Sequence, residues 1–497
     1  MTEQEFKRLV ARLELDADTA PAAYRRRTAA LAALGYLYVF GLLAVGLGGV
    51  LFGISMATSH HSFVGAKLVF ISGALSFLVA RALWVRFDRP QGLKLKPEQA
   101  PKLFELVEKV RQKCGGPKLH EVLLVDDINA AICQTPRLGL FGWYRNSLII
   151  GLPMMQVLSV PQFSAVLAHE FGHLVGAHGK IGAWVYRLRA TWGRILESFD
   201  ERDSVIDKVA SVFLRWYIPY FQAYSFVLAR QQEFDADRMS AKVAGAHNAA
   251  DALVTVNLQA RFLDESYWPK IWSAVDHAPQ PPLMPFSGMS TAIKLGAEGN
   301  QSADWLAEAL RERTDTHDTH PSLRERLEAF EHKPKLPEAP NASAAQVLLQ
   351  GSLPDLINRF DKDWWRASRE RWSERHGEVQ GARVCIAELG EQNLHGMSAE
   401  DLTRLGMAHR TLGDTTAALK VLRLAADAHG GTAEAAYFAG CLMLDADDSR
   451  GIQYLELAMA RDGEAIESAN WRALEYFERI GDEDQANVYR ERIEAQG

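Results

Sequence analysis

Cysteine is scarce in this chain: Cys114, Cys133, Cys385 and Cys441 lie far apart, and none sits in CxxC spacing. That excludes a disulfide scaffold and a zinc ribbon, and it favours a reducing compartment. Positive charge is in short supply too. With 55 Lys and Arg against 62 Asp and Glu, the net charge is -7. No basic stripe stands ready to release counterions from phosphates, so a nucleic-acid partner is not expected. The third lack is local and concerns charge of both signs. Between Arg27 and Lys67 there is no Lys, Arg, Asp or Glu, and a soluble domain seldom leaves so long a stretch uncharged. The remaining composition is ordinary: 48% hydrophobic and 24% charged over 497 residues, which is the balance of globular domains and enough length for about three of them.

Within the uncharged stretch, residues 31–55 are long enough to cross a hydrocarbon core as a helix. A second apolar run, 63–85, carries Lys67 and Arg81 near its ends, where long side chains can snorkel to the headgroups. These runs predict a two-helix transmembrane hairpin over 29–88, preceded by a tail over 1–28. A cleaved signal peptide is not expected, because the apolar region starts too late and runs too long. Lys7, Arg8, Arg12 and Arg25 to Arg27 precede the first run, and Arg86, Arg89, Lys94 and Lys96 follow the second. The connection between them holds only His60 and His61. By the positive-inside rule both ends of the hairpin, and everything after about Asp88, lie in the cytoplasm.

The segment 161–179 reads PQFSAVLAHEFGHLVGAHG. Runs at 121–125 and 147–150 look like strands, while Val166, Leu167 and Phe171 have helical spacing, so HEFGH is expected on a helix. There His169 and His173 share one face and can reach one zinc, with Glu170 facing the open position. Two third ligands are conceivable. A third histidine six residues after the second would fall on Gly179, so His178 is out of register. In QQEFDADRMSA, Glu233 can close a His, His, Glu site, and Asp237, four residues on, can accept a proton from the outer nitrogen of a zinc histidine. Further on, His320 precedes Pro321, which fits the first position of a helix. His320 is therefore expected at the cap, its ring free to stabilise an oxyanion, to act as a fourth ligand or only to cap. His317 reads as part of a polar loop.

Two regions between these motifs bear on access to the site. Residues 211–229 are apolar but interrupted by Arg215 and Pro219, with Trp216, Tyr217, Tyr220 and Tyr224 suited to a headgroup interface. A helix lying on the cytoplasmic leaflet, or packed on the zinc domain, is expected. The proline-rich stretch 277–287 (HAPQPPLMPFS) cannot be a regular helix and reads as a connector or a lid. Residues 332–340 (HKPKLPEAP) read as a linker. Beyond it an all-helical region carries a 34-residue period: Gly406 recurs as Gly440, and Gly413-Asp414 recurs two periods on as Gly481-Asp482. That fits degenerate tetratricopeptide (TPR) repeats, whose concave face would hold a peptide or a partner protein.

Taken together, HEFGH (169–173), EFDAD (233–237), THPSLRERL (319–327) and Asn129-Ala130 resemble the M48 family of zinc metallopeptidases, which includes HtpX and the CAAX prenyl protease. The resemblance covers about 97–330. It implies a zinc-dependent endopeptidase with one Zn2+ per chain, His169, His173 and Glu233 as ligands, Glu170 as base, and substrate peptides added along a sheet edge near 129–134. The paired spans look most like HtpX, although the stretch between HExxH and ExxxD is less hydrophobic than in HtpX-like proteins and the tail is extra. The expected fold class is mainly α with a small α+β zincin core. The expected domains are the tail 1–28, the hairpin 29–88, the peptidase 89–331, the linker 332–345 and a TPR-like solenoid 346–497. The expected protein is integral to a membrane, the bacterial inner membrane by resemblance, with its catalytic domain in the cytoplasm. It would act on proteins or peptides in membrane-protein quality control, with the bilayer and a protein on the repeats as partners. Processing of prenylated peptides is one alternative. A chaperone or adaptor with a latent zinc site is the other.

Overall fold

Helices dominate the chain, and the strands among the described residues form one small mixed sheet. The computed structural model describes residues 2–60, 63–83, 89–136, 144–175, 205–297, 301–314, 320–390 and 393–495. The chain divides into two compact units, Met1–Trp268 with Pro285–Asp361, and Pro269–Met284 with Lys362–Gly497.

In the first unit, strands β1 (Leu93–Leu95), β2 (Glu121–Val125), β3 (Ala130–Pro136) and β4 (Tyr144–Gly151) lie in the order β1-β2-β4-β3. The central pair, β2 and β4, is parallel, and both outer pairs are antiparallel. The central strands are apolar in near-continuous runs, as strands covered on both faces must be. Val122, Leu123, Leu124, Leu148 and Ile150 are buried. β3 is an outer strand, with Ile132 opposite Leu148 and Gln134 opposite Asn146.

Helices α4 (Pro101–Cys114), α5 (Leu152–Val157) and α6 (Val160–Leu174) follow from plain local signals. Ser159 caps α6 in a reciprocal box with Gln162, Pro161 sits in the first turn, and Phe163, Leu167 and Phe171 are fully buried. α7 (Val205–Ala244) crosses α6, and α8 (Ala246–Phe262) follows it. The crossing is close because Gly172 has no side chain: a Cβ there would lie 2.8 Å from the Cα of Ala236. Ser240 Oγ, on α7, donates to the Ala165 carbonyl of α6 at 2.8 Å.

The amino-terminal residues are helical. α1 (Glu3–Thr19) is capped by Thr2 and Glu5, and α2 (Pro21–His60) and α3 (Phe63–Leu83) come after it. Val10, Leu13 and Ala17 of α1 and Tyr24 and Ala32 of α2 pack on Tyr217, Phe221 and Phe226 of α7. Tyr24 Oη donates to the Tyr224 carbonyl at 2.5 Å, and Tyr217 Oη to the Leu31 carbonyl at 2.9 Å. The 211–229 segment is thus part of α7, and its residues from Tyr217 on pack on α1 and the start of α2, while Trp216 and Tyr220 stay exposed. Among the described residues, α2 is the one helix long and apolar enough to cross a membrane; α3 is also apolar but its qualifying stretch is shorter.

The first unit continues past the 332–345 segment. Helix Ala344–Leu349 is capped by Ser343, and the Ala344 N–H donates to the Leu158 carbonyl at 2.7 Å. Asp361 accepts the Phe286 N–H at 2.8 Å and the Ser287 N–H at 3.2 Å. In the second unit, Trp272, Trp364, Trp365 and Trp372 pack edge to face and tilted. Trp372 Nε1 donates to the Ala278 carbonyl at 3.0 Å, so the proline-rich stretch is fastened there. Helices Ala399–Thr411, Thr415–Asp427, Ala433–Asp445, Gly451–Arg461, Ala465–Ile480 and Glu483–Glu494 then pack each against the next. Their turns hold Gly413, Asp447 and Gly481 in the left-handed region, at φ 79°, 56° and 76°.

Candidate metal centre

The last two turns of α6 carry His169, Glu170 and His173, whose ligand atoms lie within 4.8 Å of one another. The two imidazoles meet through their Nε2 atoms at 3.1 Å. Glu233 enters from α7 because Gly172 lets the helices approach: Oε2 lies 3.6 Å from His169 Nε2, and Oε1 lies 3.6 Å from His173 Nε2. Donors held at 2.0–2.1 Å from a shared tetrahedral centre are about 3.3–3.4 Å apart. Asp237, one turn on, lies 3.0 Å from His169 Nδ1. A carboxylate there holds a proton on Nδ1, which leaves Nε2 as the ring atom turned toward His173 and Glu233.

Burial sets the electrostatics. Glu233 and Asp237 are 6% and 2% exposed. Burial alone would raise both carboxyl pKa values. His169 and His320 outweigh it for Glu233, and Arg326 and His169 outweigh it for Asp237, so both are held below the usual range. For Glu170 burial wins over the nearby charges of His169 and Arg326 and pushes it up to about 7. Burial also pushes His173 down to about 4, keeping its ring neutral and available as a ligand. The Ile132 backbone N–H of β3 hydrogen-bonds the Glu170 carboxylate.

Arg326, on helix Leu323–Ala329, lies within THPSLRERL, but the motif alone gave it no role. Its Nε and Nη2 fork onto the two oxygens of Asp237 at 2.8 and 2.7 Å, and Nη1 lies 3.8 Å from Glu233 Oε2. His320 Nδ1 lies 3.1 Å from Glu233 Oε1 on a ring that is 66% exposed. The helix cap is Ser322, whose side chain accepts the Glu325 N–H, so His320 and Pro321 precede the helix and His320 caps nothing. Asn129 lies in the turn before β3, its carbonyl accepting the Gly151 N–H at 2.7 Å, and Ala130 opens the strand. His178 and His317 lie outside the described residues.

Does this donor set fit a cation? Glu233 Oε2 is buried with no hydrogen-bond partner, a costly state for a carboxylate oxygen unless a metal takes it. Against the opposing effect of burial, Asp237 and Glu233 raise His169 to about 9, so the carboxylates draw positive charge to this ring, where a dication would take the proton's place. Two imidazoles and a carboxylate around an open side are a zinc-type set. Residues 97–333 match the model of Peptidase family M48. Those residues form an M48 peptidase domain. It is therefore a metalloendopeptidase that hydrolyses peptide bonds, and its metal is typically zinc. Protein substrates follow from that activity. A comparison with curated proteins found no match.

Proposed function

We propose that this M48 peptidase is held in a membrane by α2 and α3 and cleaves damaged or unassembled membrane proteins from the cytoplasmic face. The observation that carries the catalytic part is the buried Glu170 carboxyl beside the converging His169, His173 and Glu233 donors. These three would hold the ion, and Asp237 with Arg326 would fix the orientation of His169. Zinc, when bound, supplies Lewis acidity at the scissile carbonyl and lowers the pKa of water. Glu170 takes the proton from the attacking water and hands it to the leaving amine. His320, beside Glu233 and largely exposed, is available to stabilise negative charge on the scissile carbonyl oxygen.

The outer strand β3 supports an added-strand mode for the substrate. Because the Ile132 N–H points to Glu170 rather than to β4, alternation directs the backbone groups of Ala130, Ile132 and Gln134 away from the sheet. Peptide backbone could pair there with little demand on sequence.

For anchoring, the support is the apolar exposure of α2 and α3. Val45, Leu51 and Phe52 on α2 and Phe63, Phe70 and Phe77 on α3 are all more than 60% exposed, a band that water would penalise and acyl chains would not. The domain reading remains tail, hairpin, peptidase, linker and repeats. Its TPR-like part gains support from the left-handed residues Gly413, Asp447 and Gly481, which recur every 34 residues in the numbering. Such repeats would deliver clients or an adaptor. The test is proteolysis of unfolded and membrane clients by the full chain in detergent, wild type against Glu170→Gln, with zinc measured in both. Equal cleavage by a zinc-loaded variant would end the proposal.

A further inference from the structure

A second group of donor atoms lies in the first unit, away from Glu170. His247 and Asp251 stand four residues apart at the start of α8, on one face of the helix. His332 arrives from the turn that ends helix Leu323–Ala329. Its backbone is fixed there: Glu331 adopts φ 54°, and the His332 N–H donates to the Leu327 carbonyl at 3.2 Å. The ligand atoms of the three side chains lie within 4.8 Å of one another.

We propose that His247, Asp251 and His332 form a second divalent-cation site, of the zinc class, that clasps the end of the peptidase domain to α8. The Asp251 carboxylate turns one oxygen to each ring: Oδ2 is 3.3 Å from His247 Nε2, and Oδ1 is 3.7 Å from His332 Nε2. The longer separation is beyond a hydrogen bond. A pair between His247 and Asp251 alone is an ordinary surface contact, but it leaves His332 Nε2 buried with no hydrogen-bond partner among the described residues. A cation between the rings and the carboxylate satisfies that nitrogen. Two imidazoles with one carboxylate select the zinc class over magnesium or calcium, which favour oxygen donors. The His247 ring is 58% exposed, so water can complete the coordination. Because His332 lies just beyond the helix that carries Arg326, the clasp also steadies the residue that braces Asp237.

Zinc per chain, counted by atomic emission on the full-length protein in detergent after equilibration with zinc and removal of excess, tests this. The wild type should hold about two ions, His332→Ala and Glu233→Ala about one each, and the double variant about none. His247→Ala, at an exposed ring, guards against misfolding and should also lose one ion with an unchanged circular dichroism spectrum. If wild type and His247→Ala hold the same number of ions, the second site does not exist. If Glu233→Ala keeps every ion while His332→Ala loses one, the first site has been misassigned and the second stands.

Discussion

The two donor groups of the first unit use the same residue types, two histidines and a carboxylate, yet they are built to different standards. In the one on α6 and α7, the carboxylate is 6% exposed, and Asp237 and Arg326 stand behind it. In the one on α8, a ring is more than half exposed, and among the described residues no guanidinium or second carboxylate braces it. The difference follows from desolvation. Charges taken out of water must be compensated in full, so the buried group needs a network behind its ligands. The exposed group can leave part of that work to solvent. Both draw on the short segment that runs from His320 to His332, which links them mechanically.

If the buried group is the catalytic one, the largest effect in the molecule belongs to Glu170. Glu170→Gln should lower peptide hydrolysis by about 10²–10⁴-fold while leaving zinc content unchanged; no variant of His247 should approach that loss. Turnover of an unfolded substrate, normalised to bound zinc, measures it. A fall of less than tenfold would remove the distinction between the sites.

Arg326 comes next, and it breaks the comparison through stability rather than rate. Its guanidinium, 13% exposed, serves both Asp237 and Glu233. Arg326→Leu should cost about 3–5 kcal/mol in the metal-free protein, the usual penalty for stripping the partner from a buried charge. Zinc should restore part of that by cancelling the same charge. Melting curves with zinc and with a chelator should therefore diverge more in Arg326→Leu than in wild type. Equal divergence would mean that the guanidinium does not share the ligands' charge. Asp237→Asn should act more mildly, weakening zinc affinity by about 10–100-fold, which competition against a chromophoric chelator would read. An unchanged affinity would dismiss its role in orienting His169.

How far this was legible in the chain varies by residue. HEFGH and EFDAD could be read because spacing of four on a helix fixes a shared face, and that needs no knowledge of the fold. The sheet was half legible: β2 and β4 stand out as apolar runs, whereas β3 is mixed in composition because one side of it faces the site. Arg326 was quoted within its motif but given no role, since its partners lie far away in sequence on α7. The cap of its helix carried a usable cue in Ser322 with Glu325 three residues on, but Pro321 suggested an earlier start. The packing of 211–229 was hidden for another reason. Its aromatic residues suit a headgroup interface as well as a protein partner, and the partner is α1, a stretch too short and too charged to stand out. For His247 and Asp251 the spacing is visible, but two donors are too few to suggest a site until folding brings His332.

The sheet supplies a third case that sharpens the contrast, a partly buried carboxylate satisfied without any metal. Glu121 on β2 receives the Arg145 fork at 2.9 and 2.7 Å and the Ser147 hydroxyl at 2.7 Å. Arg145 is the main reason that its pKa is lowered to about 2, against an opposing effect of burial. A carboxyl depressed on folding stabilises the protein above its unfolded value near 4.5, and that contribution is lost as pH falls from there through about 2. Glu121→Gln should therefore cost about 1–2 kcal/mol at neutral pH, discounted for the partly exposed arginine, with the deficit shrinking across that acid window. A chelator should not change it, because every oxygen is already taken by a donor from the protein. If the deficit instead depended on zinc, β2 would belong to the metal site's network, and the line drawn between metal-satisfied and protein-satisfied carboxylates would have to move.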